Sequence, residues 1–222
     1  ERVSTPERAG DLKSITRVLS EIPIATFQSL DLIDRIAKHY ACNPWDVIRS
    51  AIPPRVASVD KTFIVDQTRH MHRGKHSVEF QALAPFTQKH NQVASMVASN
   101  HSEGSVLVIA PDEKDVDLIV KALEMQGLQS LKLTAAMTRE ERYRNFLQAM
   151  HGPNSIVVGT RSAVFVPVKN LATLIVHKES SQDHYEIRSP GWNARKVAFI
   201  RAEFESIKLI LTGFSPSMEV SQ

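Results

Sequence analysis

From residue 106 onward, short uninterrupted apolar runs alternate with amphipathic helical patterns, and few architectures accept that order. The run VLVI at 106–109 lacks the polar alternation of a strand with one wet face, so both of its faces call for burial. Pro111 and Asp112 then open DEKDVDLIVKALEMQ, apolar at helical spacing, and Gly127 closes it. The unit repeats: residues 131–135 read as a strand, Thr138 with Glu141 forms a capping box, and the helix it starts runs to Met150, just before Gly152. Apolar runs at 156–158, 174–176 and 209–211 continue the pattern, with the helix ARKVAFIRAEFES between the last two. The expected fold class is α/β, a mostly parallel sheet with helices on both faces. Ligands of such sheets sit beyond the carboxyl ends of the strands. The positions to examine are therefore Pro111 and Asp112, the turn Gly159-Thr160-Arg161-Ser162, the turn His177-Lys178-Glu179-Ser180, and Thr212-Gly213-Phe214-Ser215.

Ahead of this region the period is helical. Ile15, Val18 and Leu19, then Leu30, Ile33, Ile36 and Ala37, then Trp45, Val47 and Ile48 recur at helix spacing over residues 12–51, which predicts a small helical module. Pro53 and Pro54 end it. Residues 55–77 read as a linker with one short strand at 62–65, and the α/β lobe occupies 78–222. A 42% hydrophobic content supports a core, and a net charge of +3 with a pI near 9.0 permits a nucleic-acid partner without requiring one. Cys42 is the single cysteine, so no internal disulfide or multi-cysteine zinc cluster can form, and a reducing cytoplasm is the expected setting. No apolar run reaches the roughly 18 residues that span a bilayer, so no membrane partner is expected. A chain that starts at Glu1 and stops at Gln222, soon after a strand-like run, reads as a piece of a longer protein.

The stretch TAAMTREERYRNFLQAMHGPNSIVVGTRSAVFVPVKNLATLIVHKES, residues 134–180, resembles without gaps the first motor lobe of the PriA family of primosomal replication-restart helicases. Its most specific part is GTRSAVFVPVKNL, and the likeness continues through Gly191-Trp192-Asn193-Ala194-Arg195 to Pro216-Ser217-Met218-Glu219. HYACNPWDVIRSAIPPR, residues 39–55, is similar to the segment that closes the family's N-terminal DNA-binding domain. The resemblance implies a RecA-like lobe at 78–222 and the end of that DNA-binding domain at 1–54. It implies forked or single-stranded DNA and primosome and replisome proteins as partners. It also implies a second lobe and four-cysteine zinc clusters beyond Gln222, so any zinc is expected there and not in this segment. The twenty or so residues after Pro54 are too few for the winged-helix domain the family usually carries there.

The same resemblance exposes two departures. A P-loop needs glycines to wrap phosphates with backbone N–H groups, a Lys to neutralise them and a Ser or Thr for the metal. Here the corresponding FQALAPFTQKHN has no glycine. Gln88 falls at the Lys position and Lys89 at the Ser/Thr position, or, with a one-residue gap, Lys89 and His90 do. Pro85 lacks an N–H, and Phe86 and Thr87 disfavour positive φ. Where the family ends its Walker B strand in Asp-Glu-x-His, this chain has His177-Lys178-Glu179-Ser180. A metal-binding carboxylate becomes a His and the catalytic one a Lys. The pattern resembles the actinobacterial, helicase-deficient branch of the family, and it predicts no ATP and no metal in this segment. The function expected is DNA binding in replication restart without ATPase or helicase activity; the alternatives are a weakly active ATP-dependent 3'-5' DNA helicase and a protein-interaction remnant without DNA binding.

Thr160, Arg161 and Ser162 are the candidate DNA contacts, because the turn faces nucleic acid in the family and offers hydroxyls and a guanidinium to phosphate. The bland reading pairs Arg161 with a neighbouring acid. Arg195, with Asn193, reads equally as a DNA contact or as a helix cap plus a salt bridge. His70, His72 and His76 with Arg69, Arg73 and Lys75 form a basic stretch read as a solvated loop, with a phosphate-touching linker as the alternative, since no carboxylate or cysteine at matching spacing makes it a metal site. Tyr40 and Trp45 read as core residues of the helical module.

Overall fold

The computed structural model describes residues 16–65, 74–84, 88–153 and 155–221. Six strands form one sheet: β1 (Ser77–Ala82), β2 (Ser105–Ile109), β3 (Leu131–Leu133), β4 (Ile156–Gly159), β5 (Leu171–Val176) and β8 (Lys208–Gly213). They lie in the order β1-β8-β5-β2-β4-β3, and every neighbouring pair is parallel. A two-stranded ribbon of β6 (Tyr185–Glu186) and β7 (Trp192–Asn193) stands apart from it. The α/β class and the parallel sheet with helices on both faces, read from the apolar runs, are therefore found.

Side-chain alternation divides the sheet's two faces. Val106, Val108, Ile156, Val158, Ile175 and Ile210 pack against α4 (Lys89–His101) and α5 (Glu113–Met125). Leu107, Ile109, Val157, Leu174, Val176 and Leu211 face the other way, toward α6 (Arg139–His151) and α7 (Ala194–Glu205). Each such side chain, fully buried, contributes on the order of 1.5–3 kcal/mol. Helix α6 starts at the predicted capping box, with Thr138 and Glu141 each accepting from the other's backbone N–H. Helix α5 is capped by Asp112, which accepts from Asp115 N, and Gly127 at φ 73° takes the chain out of it.

The N-terminal helices α1 (Phe27–His39), α2 (Pro44–Ala51) and α3 (Ala57–Thr62) share the core of the α6/α7 face, through Leu32, Ile33, Ile36, Val47 and Val59. Three expectations need correction here. Val18 and Leu19 are not helical and are 75% and 61% exposed, and Ile15 lies outside the described residues. The strand expected at 62–65 is absent: Thr62 is the last residue of the helix Ala57–Thr62, whose Asp60 accepts from the buried Tyr143 hydroxyl (2.8 Å) and from Arg55 (2.6 Å), and residues 63–65 pair with no strand among the described residues. Trp45 is 62% exposed, because it occupies the first turn of α2 while Val47 and Ala51 face inward. Tyr40 is half-buried and accepts from Asn193 N (3.1 Å), tying the end of α1 to the start of α7. The edge strand β1 went unread, since SVEFQA is half exposed and mixes polar with apolar residues.

Arg201 of α7 is 1% exposed; it donates to the Val164 carbonyl (2.6 Å) and pairs with Glu205 (3.0 Å). It therefore clamps the 3-10 turn Arg161–Phe165 onto the lobe. Arg201→Met is expected to cost about 3 kcal/mol, since it strands the mostly buried Glu205 and a backbone carbonyl. Equilibrium urea denaturation checks this.

Candidate functional site

Strand β5 lies between β8 and β2, so the residues that follow it emerge at the centre of the sheet's carboxyl edge. His177 N still donates to the Ile109 carbonyl (2.8 Å), and Glu179 N to that of Thr212 (2.9 Å). Between them Lys178 adopts the left-handed conformation, φ 50°, which costs a side-chain-bearing residue roughly 1–2 kcal/mol. Its ammonium reaches the first turn of α5 and contacts both oxygens of Asp115, at 2.8 and 2.6 Å. His90, from the first turn of α4, places Nε2 2.9 Å from Asp115 Oδ1. The imidazole of His177 lies edge-on to that of His90, with ring centroids 5.7 Å apart, and its Nδ1 meets Thr212 Oγ1 at 3.1 Å. Three elements distant in sequence thus converge on one carboxylate.

Burial on its own would raise the Asp115 pKa, but hydrogen bonds from Lys178 and His90 and the Lys178 charge hold it below the usual carboxylate range. Burial pushes His177 down to about 3, against the attraction of Asp115 and with help from the Lys178 charge. His184 is lowered as well, first by burial. Its Nε2 lies 2.9 Å from the His177 carbonyl.

The remaining candidates separate. Glu179 is fully buried and accepts from Arg195 (2.6 Å), from Ser217 N (2.7 Å) and from Ser217 Oγ (3.0 Å). Arg195 also pairs with Glu219, and Asn193 caps α7, so the cap-plus-salt-bridge arrangement is the one present. Ser180 is exposed beside this cluster. Gln88 precedes α4 and accepts from Asn91, while Lys89 lays its ammonium over the Phe214 ring, 3.9 Å from the centroid. Pro85, Phe86 and Thr87 lie outside the described residues, as do Arg69, His70, His72 and Arg73; His76 Nδ1 lies 3.4 Å from the Ile207 carbonyl.

Mg²⁺ demands near-octahedral oxygen ligands, usually carboxylates, water and phosphate. At the end of β5 the nearby Asp115 is held by two nitrogen groups, one of them a fixed cation, and Glu179 is committed to Arg195 and Ser217. These residues do not fit Mg²⁺-nucleotide.

Thr160, Arg161 and Ser162 lie in a separate cleft of about 730 Å³, walled also by Arg49 of α2, Arg142 of α6 and Arg188. Arg161 pairs there with Glu186, through Nε at 3.3 Å and Nη2 at 3.0 Å. Arg49 and Arg142 have no ion-pair partner among the described residues. Ala163 and the Leu133 carbonyl sit so close to Gly159 that a Cβ there would meet them at 2.6 and 2.5 Å, so only glycine lets this turn pack against β3. Sequence reasoning found the turn but missed Arg49, Arg142 and Asp115, which carry no motif and are gathered only by the fold.

Residues 1–53 match the PriA family described as the 3'DNA-binding domain (3'BD). The probable replication restart protein PriA of Mycobacterium tuberculosis is 30% identical over 99% of this chain, and that of Mycobacterium leprae 28% over 99%. The replication restart protein PriA of Synechocystis is 37% identical over 38% of the chain. The chain covers 37% of the M. tuberculosis protein, 38% of the M. leprae one and 10% of the Synechocystis one. A DExH-box NTPase of E. coli, HrpB, overlaps 67% of the chain and 20% of its own with a TM-score of 0.44 at 10% identity. No helix among the described residues is long and apolar enough to cross a membrane.

Because His177 is held neutral in the fold but titrates near 6.5 when unfolded, the unfolded chain binds the extra proton between about 6.5 and about 3. Stability therefore falls as pH drops through that window, by up to about 1.4 kcal/mol per pH unit per proton. His184 acts in the same sense, and the depressed Asp115 adds a loss only at more acidic pH. Urea midpoints measured from pH 7 to 5 are expected to fall, and His177→Gln is expected to flatten that slope.

Proposed function

This chain belongs to the PriA family, and from that premise we propose that it is a DNA-binding component of replication restart whose first lobe does not turn over ATP. The observation that carries the second half is the Lys178 ammonium seated on the Asp115 carboxylate at the end of β5. Phosphoryl transfer relies on positioning and on neutralising charge with Mg²⁺. An ammonium already paired with that carboxylate disfavours a weakly held, oxygen-seeking ion such as Mg²⁺, and Lys89, the one nearby lysine of the P-loop stretch, is turned toward Phe214. The weakly active helicase and the interaction remnant are the competing outcomes.

The DNA-binding half rests on the cleft around Thr160, Arg161 and Ser162. Four arginines enter it, from α2, from α6, from the Gly159-Thr160-Arg161-Ser162 turn and from the segment after β6, among the acids Asp46, Asp112, Glu113, Asp183 and Glu186. Phosphate-directed arginines position a nucleic acid without reading its sequence. The similarity of residues 1–53 to a 3'DNA-binding domain and of the whole chain to replication restart proteins supports forked or single-stranded DNA as the ligand, with primosome and replisome proteins as partners. Because α2 forms one wall of the cleft and the motor-lobe turn another, both parts of the chain would grip the same strand.

Addition of ATP with Mg²⁺ is expected to leave the melting temperature unchanged; a metal-dependent rise abolished by Lys89→Ala would favour the active enzyme instead. Binding to a fork-shaped oligonucleotide is expected to weaken steeply with salt. Arg142→Ala is expected to lower affinity and reduce the salt slope by about one. Glu186→Gln, which removes an acid from the cleft and releases Arg161, is expected to tighten it. No binding at low salt would identify an interaction remnant.

A further inference from the structure

We propose that His90, Asp115 and His177 form a binding site for a first-row transition-metal ion of the zinc class, in which Lys178 occupies Asp115 until the ion displaces it. Each residue offers one donor atom, and the three atoms lie within 4.8 Å of one another. Tetrahedral zinc with bonds near 2.0–2.1 Å separates its ligands by about 3.3 Å. His90 Nε2 and Asp115 Oδ1 already stand 2.9 Å apart, and neither of the two sides to His177 needs to close by more than about 1.5 Å.

The second observation is an orphan. His177 is fully buried, its Nδ1 lies 3.1 Å from Thr212 Oγ1, and its Nε2 has no hydrogen-bond partner among the described residues. Native proteins rarely leave a buried ring nitrogen unsatisfied. When Nδ1 donates to Thr212, Nε2 carries the lone pair, which is the outer-sphere arrangement that orients metal-bound histidines. The donor set of two imidazoles and one carboxylate suits zinc-class ions and not Mg²⁺ or Ca²⁺, which take oxygen. Three protein ligands leave a fourth position for water.

Entry is open on one side. The His90 side chain is 22% exposed and that of Lys178 40%, so the ammonium can swing into solvent when a dication takes its place. The site shares the Lys178–Asp115 pair with the reading on ATP turnover, but its test contains no nucleotide and fails separately from that reading.

The probe is Co²⁺, titrated into the full chain and followed by its visible ligand-field bands. The wild-type chain is expected to bind one ion with bands of low-coordinate intensity, displaced by Zn²⁺ and not by excess Mg²⁺. His90→Ala and Asp115→Asn are expected to abolish the bands. Lys178→Met, which removes the competitor, is expected to tighten binding about tenfold. Absence of bands in the wild-type chain overturns the proposal, as does their survival in both His90→Ala and Asp115→Asn. Their loss when His70, His72 and His76 are replaced together by Ala also overturns it, by assigning the ion to that histidine-rich stretch. An unchanged affinity in Lys178→Met overturns the Asp115-centred geometry, and this variant leaves every proposed ligand in place.

Discussion

Strand β5 is hydrogen-bonded to a parallel neighbour on each side and buried on both faces, and its six residues carry no charge. Charged groups cannot follow such a strand inward, so they meet their partners where the chain leaves the sheet. Four consecutive polar residues, His177 to Ser180, emerge at that point. Three of them are bound at once to other elements: His177 reaches β8, Lys178 reaches α5, and Glu179 reaches α7 and the chain after β8. The arrangement at the carboxyl edge is thus set by the central strand and by its two neighbours.

Two buried carboxylates then settle differently. Glu179 receives Arg195 and two donors of Ser217, an environment that ties the end of the sheet to α7 and the C-terminal turn. Asp115 receives Lys178 and His90, both of which retain some exposure. A fully enclosed pair is costly to disturb, because removing one partner leaves an unmatched charge. A pair with one partner at the surface can exchange that partner for another cation. That difference in enclosure, more than any difference in residue type, separates the rigid half of this edge from the half that can accept a ligand.

Much of the fold was legible in advance. Runs such as VLVI at 106–109 have no polar side to expose, and Thr138 with Glu141 marks a helix start by local hydrogen bonds alone. The reading failed where long-range bonds outweighed local preference. Residues 62–65 look β-like, yet Thr62 closes a helix that Asp60 anchors to Tyr143 on α6, and 63–65 form no strand. Trp45 looks like core, yet α2 turns a different face inward. Of the site, the turn at 159–162 was legible because it matches a recognisable pattern, and the altered end of β5 because it departs from one. His90 was legible only as part of a degraded P-loop, and Asp115 only as one acid in an acidic helix start.

The sequence by itself determined the parallel α/β layering, the helix boundaries with caps, and the replacement of an expected carboxylate pair by His177 and Lys178. The layering and the caps are local or periodic properties, readable because burial on both faces demands continuous apolar runs and because caps act within one turn; the replacement is legible only against the resemblance to the family. Only the tertiary structure decided what the replacements do. His90, Asp115 and Lys178 come from α4, α5 and the end of β5, separated in sequence by 25 and 63 residues, and meet because parallel strands deliver their carboxyl ends to one edge. Which carboxylate a lysine neutralises, and which histidine nitrogen is left without a partner, depends on distances that no spacing in the chain encodes.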